Sequence, residues 1–146
     1  MLVVDTNILI YAADRQSPFH AACTDWLESR RGRADAWYLT WPIAYEFLRV
    51  VTHPRVLRRP WDLSSAWSFL AALLASPGMS MLAAGERHPE VLQEIIGDFA
   101  DLKGNVIHDL HTVALMREHG ISQICTRDAG FHQFKFLTVV DPVRTR

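Results

Sequence analysis

Short apolar runs alternate with helix-forming segments along the whole sequence. The runs are bounded by turn residues, which is the pattern of buried strands. They lie at 2–4, 36–39, 79–82, 121–125 and 136–140. Helices are predicted between them, at 8–13, 17–30, 40–53, 62–74 (capped by Asp62 or Ser64), 88–99 and 107–119. This alternation predicts an α/β fold, a three-layer α/β/α sandwich with a mostly parallel central sheet.

Two helix boundaries are predicted from local chemistry. Ser17-Pro18 combines a capping hydroxyl with a first-turn proline, which predicts a helix start there. Gly120 follows the last predicted helix, where a residue in the left-handed conformation commonly ends a helix.

The size and charge of the chain set broad limits on its function. Its 146 residues match one ordinary domain, so we expect a single domain over residues 1–146. Fifteen Lys and Arg oppose sixteen Asp and Glu, so no overall positive charge indicates a polyanionic ligand. Thirteen of those cations are arginine, however, which binds phosphate by a bidentate fork. A nucleic-acid ligand is therefore not excluded.

No targeting or membrane segment is predicted. The first residues lack a basic stretch, and apolar runs such as 66–75 are too short to span a bilayer. Cys23 and Cys125 do not form the pattern of a disulfide scaffold or a thiolate metal site. We expect a soluble, cytoplasmic protein that makes no membrane contact.

Four acidic residues lie where a parallel sheet collects functional groups. Asp5 directly follows the first predicted strand, and Asp128 follows the fourth. Functional side chains in such sheets gather beyond the carboxyl ends of the strands. Glu46 and Asp109 lie near the starts of two predicted helices.

Each of these acids also has a purely structural interpretation. Asp5 and Asp109 could serve helix N-termini, Glu46 could lie on a solvated helix face, and Asp128 could stabilise a turn. Three of them border apolar segments, however, where an unpaired charge is costly. Carboxylates gathered at one sheet end repel one another unless a hard cation or a proton intervenes. The combination therefore favours an acidic functional cluster.

The sequence lacks the motifs of several other classes of functional site. The chain has no glycine-rich nucleotide-binding motif and no Gly-x-Ser-x-Gly nucleophile motif. Asp5-Thr6-Asn7 lacks the second acid of the aspartyl-phosphate phosphatases. The seven histidines show no zinc-ligand spacing, although His111 could lie near the acids in a secondary role.

Four motifs together resemble the PIN domain family, named for the PilT N-terminus. They are Val3-Val4-Asp5-Thr6-Asn7, Glu46-Phe47-Leu48-Arg49, Asn105-x-x-x-Asp109 and Thr126-Arg127-Asp128-x-x-Phe131. They occur in the family's order and at family-like spacing, and the likeness covers the whole chain. One departure is Leu110-His111, which stands where small residues often follow the third acid. The size of the chain is similar to that of the VapC toxins of VapBC toxin–antitoxin pairs.

The resemblance implies a Mg²⁺- or Mn²⁺-dependent endoribonuclease that acts as the toxin of a type II toxin–antitoxin pair. The implied catalytic residues are Asp5, Glu46, Asp109 and Asp128. Of these, Asp5, Asp109 and Asp128 are the implied metal ligands, and oxygen ligands suit such hard ions. The residues expected to orient them are Thr6, Asn7, Asn105 and Thr126.

An acidic site that receives RNA requires cations at its rim. We expect Arg55, Arg58 and Arg59 to contact RNA, with Trp61 as a stacking surface. Arg127 is a further candidate. The alternative for the arginine-rich segment is an exposed, solvated loop.

The resemblance also implies three partners: an RNA substrate, a VapB-like antitoxin and a second copy of the chain in a homodimer. The five tryptophans are numerous for a core of this size, and some of them are expected to line an antitoxin groove or a dimer face. They are Trp26, Trp37, Trp41, Trp61 and Trp67. Other functions stay open: a housekeeping PIN nuclease or a metal-dependent phosphatase, and a catalytically silent PIN-like binding module.

Overall fold

A five-stranded parallel sheet forms the centre of the computed structural model, which describes residues 1–144. The strands are β1 (Leu2–Val4), β2 (Trp37–Thr40), β3 (Met79–Leu82), β4 (Gln123–Cys125) and β5 (Thr138–Val140). Their order across the sheet is β3-β2-β1-β4-β5, and each neighbouring pair runs parallel. The predicted parallel sheet is confirmed.

Helices cover both faces of this sheet. They are α1 (Thr6–Ala13), α2 (His20–Arg31), α3 (Trp41–Val51), α4 (Leu63–Leu74), α5 (His88–Asp98) and α6 (Val106–Glu118), with a 3₁₀ helix at Ala129–Gln133. Helix α1 packs against α2 and α3, α3 packs against α4, and α5 packs against α6. These contacts define two groups of helices, α1 to α4 and α5 with α6. Connections between parallel strands are right-handed, which puts the two groups on opposite faces of the sheet. The predicted three-layer sandwich is therefore confirmed. Within residues 1–144, no helix is long and apolar enough to cross a membrane.

The direction in which successive strands are added across the sheet reverses at the central strand β1. From β1 the chain adds β2 and β3 on one side, and it then returns to add β4 and β5 on the other. Val4 of β1 lies opposite Cys125 of β4, so the residues that follow these two strands come side by side. Ligand sites of parallel α/β sheets form at such a reversal. The fold therefore brings Asp5 next to Thr126.

Burial fixes the end of β1 in place. Leu2, Val3 and Val4 are each at most 3% exposed, as expected for a strand covered on both faces. Burial of each such side chain stabilises the fold by about 1.5–3 kcal/mol. The two cysteines are also buried and free, so no disulfide contributes. Apolar packing holds the strand whose end carries Asp5.

Helix α2 begins at His20, later than the predicted start at Ser17-Pro18. Ser17 instead forms a turn of its own. Its hydroxyl oxygen accepts a hydrogen bond from the N–H of Phe19 at 3.1 Å, and its carbonyl accepts one from His20 at 3.1 Å. The capping chemistry expected of Ser17 is present, but it closes a turn before the helix.

Strands β4 and β5 each begin two residues later than predicted, because the residues before them complete other structures. The N–H of Ile121 donates to the carbonyl of Met116 at 2.8 Å and so closes the end of α6. Gly120 has φ of +66°, which confirms its predicted role at that helix end. The N–H of Leu137 donates to the carbonyl of Phe134 at 2.9 Å, which forms a turn before β5.

Candidate active site

Asp5 occupies the first position after β1 and caps helix α1. Its N–H donates to the carbonyl of Cys125 at 3.0 Å, which ties it to the end of β4. Its Oδ1 accepts the N–H of Thr6 at 2.7 Å. Burial raises the pKa of the Asp5 carboxyl, although the hydrogen bonds from Thr126 and Thr6 oppose this effect. One oxygen of Asp5 thus serves the helix, and the other accepts hydrogen bonds from side chains.

Two side chains hold that second oxygen, Oδ2. The Thr126 hydroxyl donates to it at 2.6 Å, and the Asn7 amide donates to it at 2.7 Å. Asn7 also donates to the Thr126 oxygen at 2.9 Å and accepts the N–H of Arg127 at 3.3 Å. Thr126 is fully buried. Two of the predicted orienting side chains, those of Asn7 and Thr126, therefore contact Asp5 directly, whereas Thr6 contributes its backbone N–H.

Asp128 follows Thr126 by two residues and caps the 3₁₀ helix. Its N–H donates to the Thr126 oxygen at 3.0 Å, and its Oδ1 accepts the N–H of Gly130 at 2.7 Å. Asp128 therefore stabilises a turn, as its structural interpretation predicted. The same contacts fix this carboxylate next to the Asp5 network.

Asp109 lies in the first turn of α6 and completes a group of three acids. Burial raises the pKa of its carboxyl to about 6, and the negative charges of Asp5 and Asp128 contribute further while His108 opposes the rise. The charge of Asp128 also raises the pKa of Asp5. Carboxylates have this effect on one another only at short range. Asp5, Asp109 and Asp128 thus lie near enough for their charges to affect one another, and together they are called the acidic cluster below.

Glu46, the fourth predicted acid, is held by an arginine. Arg49 donates from Nε to Oε2 of Glu46 at 2.9 Å and from a terminal nitrogen to Oε1 at 2.6 Å. This fork lowers the pKa of the Glu46 carboxyl, with a smaller effect of His108 in the same direction. His108 lowers the pKa of Asp109 as well, so its charge affects both carboxyls. The negative charge of Glu46 is balanced by Arg49 and is not shared with the three clustered acids.

Asn105 stands at the first position before α6. Its side chain makes no capping hydrogen bond, and its carbonyl accepts the N–H of His108 at 3.0 Å. Its contact with the helix that carries Asp109 is therefore made by the backbone.

His111 lies on α6 beside a histidine of α5. Its ring centre is 5.9 Å from that of His88, whose Nδ1 lies 2.9 Å from a carboxylate oxygen of Glu118. Burial lowers the pKa of the His111 imidazole, and the nearby His88 adds to this effect. The secondary role considered for His111 near the acids stays a prediction.

The donor atoms of the acidic cluster suit a hard divalent cation. Within residues 1–144, no three Asp, Glu, His or Cys side chains are arranged to ligate one ion together. Mg²⁺ commonly binds one or two carboxylates and keeps several of its waters. Two carboxylates of the cluster, supplemented by water, therefore fit the chemistry of such an ion.

The predicted RNA-binding arginines fall in two different settings. Arg55, Arg58 and Arg59 are exposed on the loop between α3 and α4. Arg59 helps to line a cavity of about 440 Å³ together with Trp61. The Arg127 side chain is only 21% exposed, and its guanidinium carbon lies 3.7 Å from the centre of the Phe19 ring. The cavity that Arg59 lines also includes residues 13–16 at the C-terminal end of α1, whereas Asp5 caps the N-terminal end of that helix, so the loop arginines are exposed but are not brought next to Asp5.

An apolar groove runs between α3 and α4. Trp41, Tyr45, Leu63 and Trp67 line it, and each is between 46% and 68% exposed. Of the other tryptophans, Trp37 is fully buried, and Trp26 and Trp61 pack partly against the core. Two of the five tryptophans therefore lie on a surface that suits a partner.

Sequence reasoning assigned no role to Arg49 or Asp141, which both contact predicted site residues. Arg49 pairs with Glu46 at a separation of three positions on a helix, a spacing at which opposite charges commonly meet. This contact could therefore be predicted from the sequence. Asp141 lies near Arg127 because β4 and β5 are neighbours, and no local pattern indicates this contact.

The fold and the acidic cluster agree with the match of this chain to a known family. The model of the PIN domain matches residues 2–137, and the chain belongs to that family.

Individual members of the family give more specific comparisons. Ribonuclease VapC48 of Mycobacterium tuberculosis is 33% identical over 138 residues, which cover 94% of each chain. In structure, the chain is similar to VapBC2 from Rickettsia felis, solved with a promoter DNA fragment, with a TM-score of 0.66 at 15% identity over 95% of this chain and 96% of that one. It is equally similar to VapC20 of M. tuberculosis, described as a toxin that cleaves the sarcin-ricin loop, with a TM-score of 0.66 at 15% identity over 94% and 97% of the two chains.

Proposed function

We propose that this chain is a Mg²⁺- or Mn²⁺-dependent endoribonuclease that acts as the toxin of a type II toxin–antitoxin pair. The observation that carries the proposal is the cluster of Asp5, Asp109 and Asp128 at the reversal point of the sheet. The similarity to VapC48, which is named a ribonuclease, over 94% of the chain supports this reaction class. The proposed site of action is the cytoplasm.

In the proposed site Asp5, Asp109 and Asp128 would hold the metal ion, with Asp128 acting directly or through water. A bound divalent ion supplies neutralisation of the scissile phosphate, activation of a water and stabilisation of the leaving oxygen. Asp5 enters the site already oriented, because Thr126 and Asn7 both donate to its Oδ2. Asp109 has a pKa of about 6, so its carboxyl retains a proton at acidic pH and releases it to become a ligand near neutral pH.

Glu46 has a more distant role in this proposal. Its carboxylate is paired with Arg49, which balances its charge and lowers its pKa. Glu46 contributes through water or through this ion pair. Its loss is therefore less damaging than the loss of Asp5.

The loop that carries Arg55, Arg58 and Arg59 is the proposed site of phosphate contact. All three side chains are exposed, and Trp61 ends the same loop. Single-stranded or loop RNA is the proposed substrate, because unpaired nucleotides can be splayed into a recessed site. Arginine contacts of this kind supply affinity without base preference.

The proposed inhibitor is a small antitoxin with an apolar segment that occupies the groove between α3 and α4. The groove exposes Trp41 and Trp67, and aromatic residues of this kind anchor protein interfaces. VapBC2, which has a similar fold, was solved as a VapBC pair.

Co-purification with a co-expressed VapB-like antitoxin tests the groove. Trp67→Glu places a charge in the groove and should abolish co-purification. Glu94→Gln changes an exposed residue of α5, far from the groove in the chain, and should leave it intact. Loss of a homodimer in the Trp67→Glu variant, with antitoxin binding unchanged, would assign the groove to the dimer instead.

Cleavage by the purified chain tests the enzymatic proposal. We expect the wild type to cut single-stranded RNA in Mg²⁺ or Mn²⁺ and to be silent in EDTA. Asp5→Asn and Asp109→Asn should be inactive at nearly constant side-chain volume. Glu94→Gln, which removes an exposed charge on α5, is the matched control and should cut like the wild type. Equal cleavage by Asp5→Asn and the wild type would rule out the proposal.

A further inference from the structure

A second cavity opens beside the acidic cluster, between the 3₁₀ helix and the end of β5. Its volume is about 350 Å³, which is within the range of small-ligand sites. Thr126 and Asp128 line both this cavity and the acidic site. A ligand in the cavity would therefore lie next to the phosphate of an RNA bound at the proposed active site. The other residues that define its chemistry are Arg127, His132, Val139, Asp141 and Arg144.

Asp141 forms ion pairs with both arginines of this cavity, of which Arg127 is 21% exposed and Arg144 is 82% exposed. One of its carboxylate oxygens lies 3.9 Å from Nε of Arg127, and the other lies 3.5 Å from Nε of Arg144. Phe19 covers one face of the Arg127 guanidinium, with the guanidinium carbon 3.7 Å from the ring centre. Nη1 of Arg127 is buried, and within residues 1–144 it has no hydrogen-bond partner. The Arg127 guanidinium, which lines the cavity, therefore lies between Phe19 and Asp141 and still carries one donor without a partner among residues 1–144.

The balance of charge in the cavity favours a nucleobase over a phosphate. Among the described residues that line it, Arg127 and Arg144 are opposed by Asp128 and Asp141, so an anion would meet two carboxylates as well as two cations. Val139 and its neighbours supply an apolar wall. A nucleobase is neutral and planar, and its edge carries both acceptors for arginine and donors for carboxylate.

We infer that this cavity binds the base of the nucleotide adjoining the scissile phosphate and so sets the sequence preference of cleavage. The inference rests on the proposed ribonuclease function. Arg127 and Arg144 donate to the acceptors of the base edge, and Asp141 pairs with both guanidinium groups. The loop arginines bind the RNA backbone, whereas this cavity distinguishes one base from another.

Binding of mononucleotides in EDTA tests the inference without any cleavage step. The four nucleoside 5′-monophosphates and inorganic phosphate are titrated into ¹⁵N-labelled protein, and the amide shifts are followed by NMR. We expect at least one nucleotide to shift Ala129, His132, Val140 and Asp141, and phosphate alone to leave them in place. Equal shifts with phosphate, or no nucleotide shifts at these residues, would overturn the inference.

Two variants separate the cavity from the rest of the surface. Arg144→Gln should weaken the binding of the preferred nucleotide about five- to hundredfold, as expected for one bidentate arginine–base contact. Ala129→Trp, made at an exposed residue of the wall, should block the cavity and remove binding. Arg87→Gln, at an exposed arginine before α5, should bind like the wild type. Wild-type binding by both cavity variants would contradict the inference.

The base preference of cleavage is measured by sequencing the cut ends of a randomised RNA pool. Arg144→Gln should lose the wild-type base preference at one position beside the cut while cleavage itself continues. An unchanged preference would overturn the inference and leave the proposed ribonuclease standing. Absence of cleavage by the wild type would instead overturn the proposed ribonuclease, and the mononucleotide titration would still decide whether the cavity binds a base.

Discussion

The hydroxyl of Thr126 donates to Oδ2 of Asp5 at 2.6 Å, across 121 positions of sequence. The same oxygen of Thr126 accepts hydrogen bonds from Asn7 and from the N–H of Asp128. One buried threonine therefore connects two acids of the cluster and fixes their relative positions. This contact exists because β1 and β4 are neighbours in the sheet.

Thr126→Val should destabilise the protein and impair the site. The substitution keeps the shape of the side chain but leaves Asn7 and the N–H of Asp128 without their acceptor. Loss of such buried hydrogen bonds costs about 1–3 kcal/mol in the free energy of unfolding. Urea denaturation measures this loss, and an RNA cleavage assay measures the accompanying fall in activity.

Thr126→Ser is the matched control, because it retains the hydroxyl and removes only a methyl group. It should keep most of the activity that Thr126→Val loses. Equal activities of the valine and serine variants would show that the hydroxyl does not orient Asp5.

The metal-free protein should lose stability as the pH rises through the titration of Asp109. The pKa of this carboxyl is about 6 in the folded chain, against an ordinary value of 3.8. A raised pKa favours the folded state below about pH 4, and this advantage disappears as the pH rises past about 6. For a half-buried carboxyl we expect a fall of about 1–2 kcal/mol over that range.

Asp109→Asn should flatten this pH dependence and leave the metal-free protein at least as stable as the wild type at neutral pH. Thermal melting in EDTA at several pH values measures both effects. A variant that melts well below the wild type at neutral pH would show that Asp109 serves mainly the N-terminus of α6.

Manganese should stabilise the wild type more than Asp109→Asn. An ion that binds only the folded chain adds about 2.7 kcal/mol at roughly a hundredfold excess over its dissociation constant. The variant has one carboxylate fewer in the cluster, so its gain should be much smaller. Melting temperatures with Mn²⁺ and with EDTA give the comparison, and equal shifts in both proteins would remove Asp109 from the proposed ligands.

Arg49→Gln should release Glu46 without unfolding the chain. Both side chains are substantially exposed, so the ion pair adds little to stability. The hydrogen bonds from Arg49 are the main cause of the lowered pKa of Glu46, and that pKa should return toward 4.5 in the variant. A side-chain NMR titration follows this change. An unchanged pKa would mean that Arg49 is not the partner of Glu46 in solution.

The loop arginines should control the salt dependence of RNA binding. Replacement of Arg55, Arg58 and Arg59 by alanine should weaken binding across sequences and reduce the slope of log K against log salt by up to about 2. Binding is measured in EDTA to prevent cleavage.

The matched control for the loop variant replaces three other exposed cations. They are Arg33, Arg87 and Lys103, and their replacement by alanine should keep the wild-type slope. A slope unchanged in the loop variant would return that loop to an exposed, solvated role.

Local patterns predicted the elements of the fold, because strands and helices depend on short-range periodicity and caps. Gly120 ends α6 in the predicted position, and Thr40 and Asp62 cap α3 and α4 at their predicted starts. Ser17 shows the limit of such patterns, because one hydroxyl can cap a helix or close a turn. Its sequence neighbours do not decide between them.

The contacts within the site are less accessible to sequence reasoning. The position of Asp5 after a buried strand predicts that it lies at the sheet edge, and the fold places it there. Its hydrogen bond to Thr126 depends on strand order, which local sequence patterns do not encode. The ion pair of Glu46 with Arg49 can be predicted from their spacing of three positions on a helix. The motif around Glu46 also suggests a catalytic role for it, and the spacing does not decide between the two.

Sequencing of RNA 5′ ends in cells after induction tests the central claim most directly. Wild type, Asp5→Asn and the charge control Glu94→Gln are induced to equal protein levels. We predict new 5′ ends at a limited set of RNA sites for the wild type and Glu94→Gln, and none above background for Asp5→Asn. New ends of equal abundance in all three strains, or growth arrest by Asp5→Asn without RNA cleavage, would contradict the assignment of this chain as a ribonuclease.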